Sequence, residues 1–283
     1  MGLRINTNVP SLVAQRHLRT TRSNLDRSFE RLSSGLRINH AGDDAAGLAI
    51  SELLKAQIRG YTQSERNAQD GISVVQIAEG ALEEVSNLLI RLRELGVQSA
   101  SDTLSDNERS FLNIEYQQSL DEINRIANST QFNQTPLLNG SSGNYDIQIG
   151  LGNNPTIDRI RLFESSSADV STISLGINLS SVSDKLSAQN CFAPLDGALN
   201  HVTSVRAQLG AIQNRLQSIV NNIRLSRENL SSANSRIRDM DMAEETTELT
   251  KNQILSQSGI SILAQANSSV KTALNLLGQG GSG

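Results

Sequence analysis

The chain has 283 residues, with 25 Lys or Arg against 29 Asp or Glu and a formal net charge of −4, which is too even a balance to point to general nucleic-acid binding. With no Trp, five Phe and three Tyr, a compact interior built on bulky rings is excluded, and the core falls to Leu, Ile, Val and Ala. The lone cysteine, Cys191, excludes an intramolecular disulfide framework, no apolar run approaches the ~18 residues of a membrane-spanning helix, and Met1-Gly-Leu-Arg-Ile-Asn6 lacks the apolar stretch of a secretory signal peptide.

Four prolines, at 10, 136, 155 and 194, leave residues 11–135 and 195–283 free of the residue that interrupts helices. The first apolar run, Leu18, Leu25, Phe29, Leu32 and Leu36, predicts an N-terminal helix. Asp43 and Asp44 stand before Ala-Ala-Gly-Leu-Ala-Ile50 as an N-cap and a first-turn acid do. Val75, Ala78, Leu82, Val85, Leu89 and Leu92 then follow at spacings of 3 and 4, the mark of coiled-coil packing. A polar break at 101–107 ends that helix, and Ser105 with Glu108 forms a capping box for the next run, Leu112, Tyr116, Leu120, Ile123 and Ala127. Between 136 and 194 the composition shifts to Ser, Asn and Gly. There Tyr145, Ile147 and Ile149 alternate with polar residues, as do Ile160 and Leu162, around a Gly-Asn-Asn-Pro loop, which predicts a β-hairpin near 145–163. From Ala198 the heptad seam resumes through Val202, Val205, Leu209, Ile212, Leu216, Ile219 and Ile223 and continues to Met240. At ~1.5 Å per residue a helix over 195–240 is roughly 70 Å long. The last run is Leu263, Ala266, Val270, Ala273 and Leu277. The predicted fold is mainly α, an elongated coiled-coil or helical-bundle rod with one small β-hairpin.

Catalysis is not visible. His17, His40 and His201 share no ligand spacing, so metal binding is not expected, and Asp43 and Asp44 beside His40 are read as helix caps. Cys191 has no local catalytic signature and is read as an inert thiol. The run Gly278-Gln-Gly-Gly-Ser-Gly283 has no strand before it and no helix after it, so it is not a phosphate loop. Neither enzyme activity nor a cofactor is expected. The charge distribution says more: seven Arg fall within residues 1–39 against Asp26 and Glu30, whereas residues 252–283 hold one charge, Lys271. A C-terminal helix faced by Gln253, Ser256, Gln257, Gln265, Asn267 and Asn275 is too apolar to stand alone and too polar for lipid, so it calls for protein partners, copies of itself first.

Several blocks resemble one family. Ser33-Ser-Gly-Leu-Arg-Ile-Asn39, Asp43-Asp-Ala-Ala-Gly-Leu-Ala-Ile50, Glu65-Arg-Asn-Ala-Gln-Asp-Gly71, Ala78-Glu-Gly-Ala-Leu82, Arg91-Leu-Arg-Glu-Leu-Gly-Val-Gln-Ser-Ala100 and Thr130-Gln-Phe-Asn133 are similar to the N-terminal part of bacterial flagellin. Ser235-Arg-Ile-Arg-Asp-Met-Asp-Met-Ala-Glu-Glu245 and Ile262-Leu-Ala-Gln-Ala-Asn267 are similar to its C-terminal part. Together they cover about residues 3–140 and 195–278, with a middle too short for the large variable outer domains of longer flagellins.

The resemblance implies a structural subunit that self-polymerises into the flagellar filament for swimming motility. It implies that residues 1–42 and 240–283 pair as inner-tube helices, with Leu18, Leu25, Phe29, Leu32, Leu263, Ala266, Val270 and Leu277 at the heptad positions. Residues 43–239 would then form the outer bundle, with a Ser-rich, modifiable surface segment at 141–187 that includes Ser165, Ser166, Ser167, Ser180 and Ser181. It further implies an extracellular location reached through the flagellar secretion channel without a cleaved signal. The implied partners are an export chaperone, the filament cap and the hook-junction proteins, with no nucleic acid and no membrane insertion. A vertebrate innate receptor for flagellin would contact Arg91, Leu95, Gln98 and Glu115. Two residues depart from that surface, Ile90 where the family has Gln and Ser119 where an Arg is usual. The competing readings are the hook–filament junction protein and, in another class, a cytoplasmic coiled-coil signalling module. The latter carries charge throughout, unlike residues 252–283.

Overall fold

The computed structural model describes residues 7–141, 144–163 and 169–279. Six helices, α1 (Val9–Ser34), α2 (Ala45–Ser99), α3 (Asp106–Ser129), α4 (Lys185–Asn190), α5 (Phe192–Arg238) and α6 (Met242–Gln279), accompany four short strands, β1 (Gln131–Phe132), β2 (Thr135–Pro136), β3 (Tyr145–Gln148) and β4 (Arg159–Phe163). The chain divides into two compact units, one of residues Met1–Ala56 with Leu230–Gly283 and the other of Gln57–Asn229. The resemblance implies a division at residues 42 and 240 instead.

The second unit holds the main core, and its seam is the one the spacing predicts. Val75, Ala78, Leu82, Val85, Leu89 and Leu92 of α2 are buried with Tyr116, Leu120, Ile123 and Ala127 of α3 and Ala198, Val202, Val205, Leu209 and Leu216 of α5. Each Leu, Ile or Val among them contributes about 1.5–3 kcal/mol of apolar transfer, and each Ala less. Glu65, itself buried, bridges α2 to α5 by accepting from Arg224 Nε and Arg227 Nη1, both at 2.7 Å. The break between α2 and α3 is tied by Arg109, whose guanidinium donates to the carbonyls of Ser99 (2.9 Å) and Ser101 (2.8 Å) and to Asp106. Glu108 folds back to accept from the Ser105 N–H at 2.7 Å, the bond that the predicted box asks of its carboxylate, and accepts from the Ser105 hydroxyl at 2.9 Å as well.

The expected hairpin is present: β3 and β4 pair antiparallel, with Ile147 opposite Ile160 and Gln148 opposite Arg159, and a bulge lies beside Tyr145. The Tyr145 and Phe163 rings meet edge to face, with centroids 6.5 Å apart. Ile147 of this hairpin rests on α2 at Gly71, where a Cβ would come within 3.3 Å of it. A second, minimal hairpin joins β1 to β2 through Asn133 (φ 47°) and Gln134 (φ 64°), the two positive angles of a type I′ turn.

One expectation needs correction. Of the segment 141–187 assigned to the surface, Val170, Thr172, Leu175, Ile177 and Val182 are buried. Side chains of α3 hold it in place. Asn124 Oδ1 accepts from the Thr172 N–H at 3.0 Å, Asn113 Oδ1 accepts from the Val182 N–H at 3.0 Å, and the Tyr116 hydroxyl donates to Ser180 Oγ at 2.8 Å. Ser180 and Ser181 are accordingly half-buried. Ser165, Ser166 and Ser167 lie outside the described residues.

Candidate functional site

Within the first unit α1 and α6 run antiparallel. Asn8 Nδ2 donates to the Ala266 carbonyl and Ser11 Oγ to Asn267 Oδ1, both at 3.0 Å, while Arg31 at the far end of α1 meets Glu245 at 3.5 Å. The seam between them mixes small and polar residues with leucines: Ser11, Ala14, Ser28 and Asn252 are buried, while Leu18, Leu25, Leu32, Leu263 and Ala266 are half-buried. Gly259 permits the close approach, since a Cβ there would stand 3.1 Å from Leu18 Cγ and Cδ2. Phe29, expected in this seam, is 49% exposed instead. Ser28, one position earlier, is buried in its place, so the seam passes from Leu25 to Leu32 by spacings of three and four rather than four and three. The side chains of Val270 and Leu277 lie outside the described residues.

Other bulky apolar residues of this pair lie outside the seam. Val9 (53% exposed), Leu12 and Val13 on α1, and Leu255 and Ile262 (62%) on α6, remain open to solvent. Val9, Val13, Leu255 and Ile262 line a groove of about 650 Å³ together with His17, Leu18 and Gly259. Exposed apolar surface on this scale marks a contact with other molecules.

At the other end of the pair, the chain leaving α1 is stapled to the turn before α6. Gly35 takes a left-handed cap (φ 72°) that only glycine enters freely, and its N–H donates to the Arg31 carbonyl at 2.8 Å. Arg37 N–H then donates to the Arg238 carbonyl at 2.7 Å, and Met240 N–H donates to the Gly35 carbonyl at 3.2 Å. Asp44 caps α2 by accepting from the Gly47 N–H at 2.8 Å. Asp43 accepts from the N–H groups of His40 and Asn39, and these bonds, that to His40 foremost, hold its carboxyl below the usual aspartate range. Asp44 is therefore the cap of α2, whereas Asp43, expected beside it as a cap, closes the turn that precedes the helix, and the first turn of α2 holds no acid.

In the second unit Arg91 donates from Nε and Nη2 to Glu115 Oε1, at 2.9 and 2.7 Å, and from Nη1 to Glu94 Oε2 at 3.0 Å. The two residues expected side by side, Arg91 and Glu115, are therefore joined. Gln98 is exposed nearby, lining a shallow hollow with Ile90, Arg93, Glu94 and Val97. Leu95, expected as a surface anchor, is 0% exposed. It continues the buried row Val85, Leu89, Leu92 at a spacing of three, so the seam claims it. Missed from sequence were Glu94 as a second partner of Arg91 and the exposed apolar neighbours Val97, Phe111 and Ile114. Short-range spacing hinted at the first, since 91 and 94 are one helical turn apart.

Two family models match the chain, the bacterial flagellin N-terminal helical region over residues 5–143 and the C-terminal helical region over residues 193–277. The chain belongs to the bacterial flagellin family. It is 44% identical to a flagellin of Halalkalibacterium halodurans over 273 residues, covering 96% of this chain and 99% of that one. It is 41% identical to the flagellin of Bacillus subtilis over 307 residues, covering 97% and 100%. It is likewise 40% identical to the flagellar filament 33 kDa core protein of Treponema phagedenis, covering 96% and 99%. Among solved structures, Bacillus cereus flagellin matches with a TM-score of 0.50 at 30% identity, over 56% of this chain and 88% of that one. A hook-associated protein of Vibrio parahaemolyticus matches with a TM-score of 0.58 but at 13% identity over 70% of this chain and 100% of that one, a likeness of fold alone. The flagellin is a self-polymerising subunit of the extracellular flagellar filament and serves motility.

Proposed function

We propose that this flagellin polymerises by burying the outer apolar face of the α1–α6 pair against other copies, so that the terminal helices make the inner tube of the filament. The observation that carries this reading is the apolar face that the pair leaves uncovered, with Val9, Leu12, Val13, Leu255 and Ile262 outside its own seam. Seeded polymerisation of purified monomer tests it. Val13→Asp with Ile262→Asp should stop elongation while the second unit melts as before, and filaments of normal length from this variant would refute it.

The chain travels unfolded through the flagellar secretion channel, with an export chaperone holding it beforehand and the cap and hook-junction proteins bounding the finished polymer. The charge-poor stretch of α6 supports this route, since Gln, Ser and Asn wet a surface without gripping a passing chain electrostatically. Replacing Gln257 and Gln265 by Glu should slow secretion; unchanged secretion of that variant would count against this account.

The Arg91 surface is also the contact for a vertebrate innate receptor of free flagellin. What supports this is the pairing of Arg91 with Glu115 beside exposed Gln98 and Val97, a guanidinium amid apolar surface of the kind that dominates interfaces. Arg91→Glu should cut the response of receptor-reporter cells to monomer. An equally active variant, or a silent wild type, would overturn the assignment.

A further inference from the structure

Charge is unevenly divided along the α1–α6 pair. Residues 7–23 carry Arg16, Arg19 and Arg22 and no acid, and residues 252–279 carry only Lys271. Antiparallel pairing sets these stretches side by side, with Asn8 at Ala266 and Ser11 at Asn267. Among the described residues one half of the unit thus has four positive charges and no negative one, whereas residues 24–56 and 230–251 have ten acids against seven Lys or Arg. Arg16, Arg19 and Arg22 are exposed, and among the described residues no ion pair engages them. In the acidic half Asp239 and Glu244 are likewise exposed and outside any such pair, and Asp241 is exposed beside them as it caps α6.

We propose that this separation fixes the axial register between neighbouring copies in the filament. The arginine half of one terminal pair lies beside the acidic half of the next. A polymer that repeats one heterologous contact keeps its copies pointing the same way. Two like-oriented pairs held level would set Arg16, Arg19 and Arg22 against the same arginines. Sliding one copy along the axis by roughly 20 Å brings them instead to Asp239, Asp241 and Glu244. That distance is the ~1.5 Å rise per residue applied over the interval from Arg19 to Arg31, the residue that meets Glu245. Opposite charges close to contact survive a Debye length of about 10 Å, while more distant ones are screened. The apolar groove supplies non-directional attraction, and the charges select one of the registers it would tolerate. This rests on the assembly surface proposed for α1 and α6 and specifies its polar part.

The test is elongation of wild-type filament fragments by added monomer, followed by light scattering and electron microscopy. Wild-type growth should slow by roughly tenfold or more as sodium chloride rises from about 0.02 to about 0.5 M, whereas growth driven by apolar contact alone would not slow. The variant Arg16→Glu, Arg19→Glu, Arg22→Glu should elongate at less than about a tenth of the wild-type rate, and so should Asp239→Lys with Glu244→Lys. A chain carrying all five reversals should recover to within a few-fold, since its complementarity is restored with the signs exchanged. Recovery also excludes misfolding as the cause of either loss. Wild-type rates in the triple variant, or a combined variant no faster than its parents, would overturn the proposal. A wild type that failed to extend seeds at any salt would instead count against the assembly surface itself.

Discussion

Glu65 shows how single side chains set the stability of the second unit. Arg224, and after it Arg227, hold its carboxyl below the usual glutamate range against the opposing effect of desolvation. A carboxyl that binds its proton less tightly when folded stabilises the fold fully above the ordinary value of 4.5, and the contribution is lost as pH falls through the lower folded value. Glu65→Gln should therefore lower stability by about 1–2 kcal/mol at neutral pH, the arginines being partly solvated, and should flatten the acid limb of a melting-temperature profile. An acid limb of unchanged steepness would deny Glu65 this part. Leu95 behaves differently. Leu95→Ala removes a fully buried side chain and should cost about 2–5 kcal/mol, seen as a lower denaturant midpoint. Loss of receptor activity in such a variant would report unfolding, which is why Arg91 is the residue to change there.

Among the elements, the long seams were legible because α2, α3 and α5 each carry an unbroken row of apolar residues at spacings of 3 and 4, and burial follows that row from Val75 to Leu92. The hairpin was legible for the same reason at period two. The β1–β2 turn was not, because Asn133 and Gln134 take positive φ without glycine. The packed path of residues 169–183 was hidden too. Its anchors, Asn113, Asn124 and Tyr116, read on α3 as parts of a solvated face or a seam, not as partners of a loop far along the chain. In the candidate site the positions of Arg91 and Glu115 were readable from family resemblance, while the burial of Leu95 was decided by tertiary packing. The terminal helices depend on each other more than the bundle depends on them. Deleting residues 241–283 should therefore lower helix content, measured by circular dichroism, by more than the 38 residues of α6, because α1 alone is marginal in water. The melting transition of the second unit should persist, and a truncated chain that still forms long filaments would contradict the assembly assignment.

For the molecule as a whole, the two units differ in how much apolar surface they bury in a single copy. Amides of α1 and of residues 252–279 should exchange with solvent far faster in free monomer than those of Val75–Leu92, and should gain protection on polymerisation. Strong protection of the terminal helices in monomer would show that they need no partner copy. Cys191, 2% exposed and donating from Sγ to the Ala188 carbonyl at 3.0 Å, bears on the finished filament in another way. Burial pushes its thiol up and away from the reactive thiolate. A polymer repeating one accessible thiol in every subunit would be open to oxidative cross-links that weld neighbouring subunits together. Enclosed in each subunit, the sulfur offers an oxidising exterior nothing to weld, and thiol reagents should label intact filaments only after the bundle has been unfolded.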